Sequence, residues 1–309
     1  AIRSAGVAAG VPSAMLSRGL AGLAGRCLVV NLPGSTGGVR AAGMAVLAGS
    51  GWSLINNSIA DVMNGGSSSF SNSFNADGIL LLAGNNHRIQ HNSVNLFGTS
   101  TAISTNSINC LAISANTMTG IDIRNNIFQN TVTGGSASDA HTCVFMPFVS
   151  SAGMNCTINN NAYYTGTVAN KSGIGFNGTT TYAAANIRTT LAAQQAFTQA
   201  LGVATNDNAS YFSTSPLAPF LSNTNLHIDN TSPAAVPLTA AGASGLGITQ
   251  DIDGDFRGVP PEMGSDEFFP AACGQPVATA TTQQDCANTQ FFINVNLTSL
   301  SAAPSVDII

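Results

Sequence analysis

Charge is what this chain has least of. Asp, Glu, Lys and Arg make up 7% of its 309 residues, against roughly 25% in an ordinary globular protein. There is one lysine, Lys171, and there are two glutamates, Glu262 and Glu267. No stripe of Lys and Arg exists, which speaks against electrostatic binding of nucleic acid. No apolar run reaches the eighteen or so residues of a membrane span. The six cysteines (Cys27, Cys110, Cys143, Cys156, Cys273 and Cys286) show no CxxC pair, so a cysteine metal site is not expected. Between residues 50 and 180 no sustained helical period appears. Asn, Ser, Thr and Gly carry the polar work instead, and they suit turns, hydroxyl pairs across strands and amide ladders.

Four asparagine-bearing segments recur in the middle of the chain. They are Leu54-Ile-Asn-Asn57-Ser-Ile59, Ile89-Gln-His-Asn92-Ser-Val94, Ile123-Arg-Asn-Asn126-Ile-Phe128 and Ile158-Asn-Asn-Asn161-Ala-Tyr163. Aligned on Asn57, Asn92, Asn126 and Asn161, the steps are 35, 34 and 35 residues. A fixed period of this size signals one supersecondary unit stacked on copies of itself. Short apolar runs precede the segments (Gly78–Leu82, Cys110–Ile113, Cys143–Met146), and Gly173–Phe176 follows the last. They read as strands. The pattern predicts coils of short strands with the aliphatic residues inward. The aligned Asn is expected at a bend, in left-handed backbone, bonded to its counterpart in the next coil.

The flanks are less regular. Ala1–Gly49 matches the repeat least and is not a clear signal peptide; it reads as an irregular segment or first rungs, in a chain that starts after processing or is a fragment. Ala183–Leu201 reads as a loop insertion or a single helix, and 202–248 as last, less regular rungs. After Pro270, Ile293, Val295 and Leu297 alternate with polar residues, and a turn leads to Val306 and Ile308. Two such strands cannot bury a core, so the natural protein is expected to continue past Ile309. Cys273 with Cys286, and Cys143 with Cys156, are disulfide candidates. Buried thiols are the alternative for Cys110, Cys143 and Cys156.

The rungs, followed by Asp251-Ile-Asp-Gly-Asp-Phe-Arg257 and Glu262-Met-Gly-Ser-Asp-Glu-Phe268, resemble the pectin-lyase-like, right-handed parallel β-helix domains of large secreted Bacteroidetes surface proteins. There such an element closes the β-helix. Asp285-Cys-Ala-Asn-Thr-Gln-Phe-Phe-Ile-Asn-Val resembles the start of the Ig-like modules that often follow, in proteins many of which are exported by the type IX system. The resemblance implies an all-β chain. Residues 50–269 would form the parallel β-helix with closing segment 251–268, and 270–309 a linker and the first strands of an incomplete Ig-like β-sandwich. It also implies that Arg257 pairs with one of the acids of the closing segment.

A polysaccharide lyase needs a base, often Arg or Lys, beside a uronate carboxylate, with positive charge to stabilise the carbanion. The repeat region offers Asp61, Asp77, His87, Arg88, His91, Asp122, Arg124, Asp139, His141 and Lys171. They form no compact cluster in the sequence. If the chain is a lyase, Arg88, Arg124 and Asp122 are the residues to test, although Asp122 and Arg124 equally make a neutralising pair. Asp251, Asp253, Asp255 and Glu262 fall at positions 1, 3, 5 and 12 of a calcium loop, with Gly254 two positions early. Tyr163, Tyr164 and Trp52 would stack on sugars if exposed, and packing is the simpler role. The expectation is therefore a secreted structural or adhesive module without a cofactor, calcium being the exception the spacing admits. Its partners would be copies of itself, a neighbouring surface protein or a polysaccharide. Carbohydrate binding or cleavage is the alternative, and a stalk or cargo segment of a secretion assembly is the weaker one.

Overall fold

The structure, a computed structural model, describes residues 20–24, 27–31, 42–63, 76–103, 105–268, 277–285 and 290–299. Its architecture follows from the repeated unit. Leu54, Ile89, Ile123 and Ile158 lie opposite one another in a narrow parallel sheet of Ser53–Ile55, Arg88–Gln90, Asp122–Arg124 and Thr157–Asn159. Each strand runs into a residue with left-handed backbone: Asn56 (φ 55°), His91 (53°), Asn125 (63°) and Asn160 (53°). Asn and His are among the residues that tolerate this region. The chain turns there into a second parallel sheet of Ser58–Ala60, Ser93–Leu96, Ile127–Asn130 and Ala162–Thr165, to which Tyr211–Ser213 adds. A long sheet of Ala42–Val46, Ala76–Leu81, Ser107–Ile113, Ala140–Met146 and Ser172–Asn177 completes each coil. The fold is a parallel β-solenoid of about four turns.

The aligned asparagine is not the left-handed residue; it is the next one. Its side chain turns inward, beneath the corner. Asn57 Nδ2 donates to Asn92 Oδ1 (2.8 Å), Asn92 to Asn126 (2.9 Å) and Asn126 to Asn161 (2.9 Å). Each Oδ1 also accepts the backbone N–H of the asparagine in the preceding rung, at 3.0–3.1 Å. Buried polar groups need such partners, and this column supplies them from its own copies.

Inside, Ile59, Val94, Phe128 and Tyr163 stack beside the Leu54–Ile158 column. Each such burial contributes roughly 1.5–3 kcal/mol. Cys110, Cys143 and Cys156 are buried free thiols, so the Cys143–Cys156 disulfide is not present. Cys143 Sγ faces the Phe128 carbonyl (3.3 Å) from the long sheet, whereas Cys156 leads into the narrow sheet. The long sheet also buries its outer face. Leu80, Ala112, Phe145 and Phe176 line up there with Ile187, beside the polar ladder Asp77–Asn109–Thr142.

Rungs begin earlier than residue 50, with Ala42–Val46. They also end sooner than 248. Within 183–201 the chain forms a 3-10 turn, a short antiparallel strand Ile187–Arg188 and a helix of 9 residues, Leu191–Gln199, capped by Thr190. Phe197 and Leu201 cover the core at that end. The Asn206 side chain then replaces a further strand: Oδ1 accepts Ile158 N–H (2.8 Å) and Nδ2 donates to Cys156 O (2.8 Å). Below it Asp207 accepts from Tyr163, Ser210, Thr198 and Gln194, and Gln194 Oε1 takes Arg188 Nε–H (2.8 Å). Gly175 leaves the room Arg188 occupies; a Cβ there would lie 2.0 Å from Nη2.

Apart from Tyr211–Ser213, residues 202–248 do not build rungs. From Ala218 to Phe268 the chain forms an irregular strap over the outer face of the second sheet. Ala218, Ile228, Ala235, Leu238, Met263 and Phe268 pack there on Ile127, Ala162 and Tyr164. The segment 251–268 therefore runs along the side of the solenoid, while the far end is closed by helix and Asn206. Val277–Asp285 and Gln290–Ser299 pair antiparallel, the latter holding Ile293, Val295 and Leu297. Leu20–Ala24 pairs likewise with Cys27–Asn31. Cys273, Cys286, Val306 and Ile308 lie outside the described residues.

Candidate functional site

The corner between the narrow and second sheets is where the candidate residues gather. With the aligned asparagines turned inward, the left-handed residues before them point outward and bind the strap. Asn56 Nδ2 donates to Gln250 O (2.7 Å) and Asn160 Nδ2 to Ala241 O (2.9 Å). Asn125 exchanges two bonds with Ala243, at 3.0 and 2.7 Å. His91 Nδ1 lies 3.3 Å from Gly264 O while its Nε2 takes a bond from Asn125 Nδ2 (2.8 Å). Burial, with help from Arg257, pulls the His91 pKa down to about 3. Gly264 has φ 99°, and a Cβ would come within 2.6 Å of Ile127 Cδ1; only glycine brings the strap this close.

Arg257 anchors the strap. Its guanidinium reaches Glu267 Oε2 (3.0 Å), Asn56 Oδ1 (2.9 Å), Gly264 O (3.0 Å) and Ser265 O (3.2 Å). Both members of the ion pair are buried. Glu267 is the acid that Arg257 meets. Glu262 lies beside it, and burial together with the Glu267 carboxylate raises its pKa to about 9.

On the narrow sheet, Arg88 and Asp122 are in register and Arg124 stands across from Gln90. Asp122 grips Arg124 with both oxygens, at 2.6 and 2.5 Å, and also accepts from Gln90 Nε2 (2.8 Å). The hydrogen bonds from Arg124 to Asp122 raise the Arg124 pKa further. An arginine held as a cation in this way is a poor proton acceptor. Arg88 Nε bonds Ser53 Oγ (3.1 Å).

The other named residues are dispersed. His87 sits between Trp52 N–H and Ala83 O. His141 Nδ1 meets Val132 O (2.9 Å), and burial lowers its pKa to about 4. Lys171 binds the Gly134 and Gly135 carbonyls, and Asp139 Oδ1 accepts Asn106 N–H. Asp77 is fully buried, which raises its pKa to about 8, and Asp61 occupies a turn at φ 58°. Tyr163 and Tyr164 are buried, and Trp52 Nε1 bonds Ala48 O. A shallow cavity of about 190 Å³ beside Thr165–Asn170 is lined by no charged group.

The four acids with calcium spacing do not converge. Asp251 accepts the backbone N–H groups of Asp253, Asp255 and Glu267, and Glu262 is turned toward Glu267. Asp253 instead meets His227 Nε2 at 2.7 Å, with Asp266 alongside. His227 does not stand out in the sequence, because 26 residues separate it from Asp253 and no motif spans them. The buried Arg188–Gln194–Asp207 chain likewise has no spacing signal. No protein-family model, curated protein or solved structure matches the chain.

Proposed function

We propose that this chain is a non-enzymatic structural or adhesive module of a large cell-surface or filament-forming protein, secreted and extracellular. The observation that carries the reading is the use made of its few charged and amide side chains. Arg124, Arg257, Arg188, Lys171 and the eight corner residues all bond to the chain itself. Such an arrangement suits a stiff, weakly charged rod that presents loops or meets a neighbour, and few charges guard it against self-association. The resemblance to the pectin-lyase-like β-helix domains of Bacteroidetes surface proteins, with an Ig-like module beginning near Asp285, supports the same setting. No helix among the described residues is long and apolar enough to cross a membrane.

The second reading is carbohydrate recognition, and the outer face of the narrow sheet favours it. Arg88, Asp122 and Thr157 form one row there and Arg124 and Asn159 a second, all exposed or half-buried, a polar strip suited to hydroxyl and carboxylate groups. A β-elimination assay on a panel of uronate polysaccharides, with and without calcium, tests the proposal. A flat ultraviolet trace is expected. Unsaturated product that disappears in Arg88→Ala or Arg124→Ala would overturn it.

A further inference from the structure

Three side chains from two parts of the strap meet where no repeat brings them together. His227, Asp253 and Asp266 each offer a ligand atom, all within 4.8 Å of one another, and among the described residues no other such group of three exists. The imidazole is fixed from behind. Its Nδ1 lies 2.5 Å from Asn225 Oδ1, an oxygen that can only accept, so Nδ1 carries the proton. Nε2 then faces Asp253 Oδ2 at 2.7 Å with either a second proton or a lone pair. A lone pair set against a carboxylate oxygen repels it, and a cation shared by both atoms removes the repulsion. A histidine whose far nitrogen donates to a fixed oxygen has the outer-shell support typical of metal-ligating imidazoles.

Asp266 points to a ligand independently. The residue is 8% exposed, yet among the described residues only one of its carboxylate oxygens is used, accepting Ile228 N–H at 2.7 Å. The other meets no hydrogen-bond partner among the described residues. Asp251, close by, is saturated by backbone amides and shapes the turn that carries Asp253. His227 and Asp253 are 40% and 49% exposed, which leaves a path to solvent and room for water ligands.

We propose that His227, Asp253 and Asp266 bind a divalent transition cation of the zinc class, which ties the loop around Asn225 to the acidic end of the strap. One nitrogen and two carboxylate oxygens, with an open position, suit such an ion. Calcium prefers six to eight oxygens, and the acids that would supply them are turned elsewhere.

The test is calorimetric titration of the chelator-treated full chain with zinc, calcium and magnesium chlorides, with thermal unfolding as a second readout. A one-to-one zinc isotherm and a zinc-dependent rise in Tm are expected, with calcium and magnesium weaker by about tenfold or more. His227→Ala and Asp253→Asn, both at solvent-exposed side chains, should fold as the parent does and lose the isotherm and the Tm rise. Asn225→Ala should weaken zinc about tenfold by freeing the ring. No zinc heat in the parent, calcium binding as tight as zinc, or zinc binding unchanged in His227→Ala would each overturn the proposal. Asp266→Asn adds a third variant; if it fails to fold, His227→Ala and Asp253→Asn decide alone.

Discussion

Two columns of residues stand side by side at one corner of the solenoid and do opposite things. Asn57, Asn92, Asn126 and Asn161 turn inward and bond to copies of themselves, so each contact is repeated one rung on. Asn56, His91, Asn125 and Asn160 turn outward and bond to the strap, so each contact is made once, to a different partner. The first column depends on a period and the second on a path. A residue in the first is supported by the rungs on both sides, as in any stack of repeats. A residue in the second is supported by whichever carbonyl the strap happens to bring.

The comparison is broken most severely by Asn126→Ala. The change leaves Asn92 N–H, Ile89 O and Asn161 Oδ1 short of a partner inside the stack, at a cost of roughly 4 kcal/mol or more. Urea denaturation should show this as a lower midpoint for the whole solenoid. Arg257→Ala attacks the other side. It strands Glu267 without its buried cation, a loss of about 3 kcal/mol. The prediction is local: limited proteolysis should cut within 238–268 while the far-ultraviolet signal of the rungs persists.

A third variant separates the two by pH. The folded state holds the Asp77 carboxyl at about 8, against an ordinary value near 4, so between those values the fold binds a proton that the unfolded chain has released. Stability from this group is therefore present at low pH and lost as pH rises from about 4 to about 8. Asp77→Asn removes that slope. It should gain on the parent across the window by at least about 1 kcal/mol. His91 and His141, held at about 3 and about 4, give the opposite slope below the ordinary histidine value, equally in both proteins, and cancel in the difference. The strap bonds should be untouched. The smallest effect is expected from His91→Asn, which restores the residue found at the other three corners. Asn keeps the left-handed backbone, and the change in urea midpoint should correspond to less than about 1 kcal/mol.

The sequence made the first column legible because Asn57, Asn92, Asn126 and Asn161 recur with aliphatic residues at fixed offsets. It blurred the second. Asn56, Asn125 and Asn160 sit beside the ladder residues and are also asparagine, so composition does not say which member of each pair takes the left-handed backbone. The strap was hidden for a different reason. Asn56 meets Gln250 across 194 residues, and a contact made once leaves no period to read. The acids of 251–268 were visible as a cluster, but their spacing mimicked a calcium loop while their carboxylates served backbone amides and Arg257. The cap at the far end has no sequence signal either, since a single Asn206 amide takes the place of a strand there.

The strap also changes how the solenoid would answer a pull along its axis. Hydrogen bonds between rungs of a parallel stack lie along that axis, so rungs act as springs in series and the weakest one yields first. A segment bonded to Asn56, His91, Asn125 and Asn160 bridges all four levels at once and acts as a spring in parallel. Extension then has to break strap and rung together, and a stack of separable coils becomes one tie-rod whose resistance is set by both.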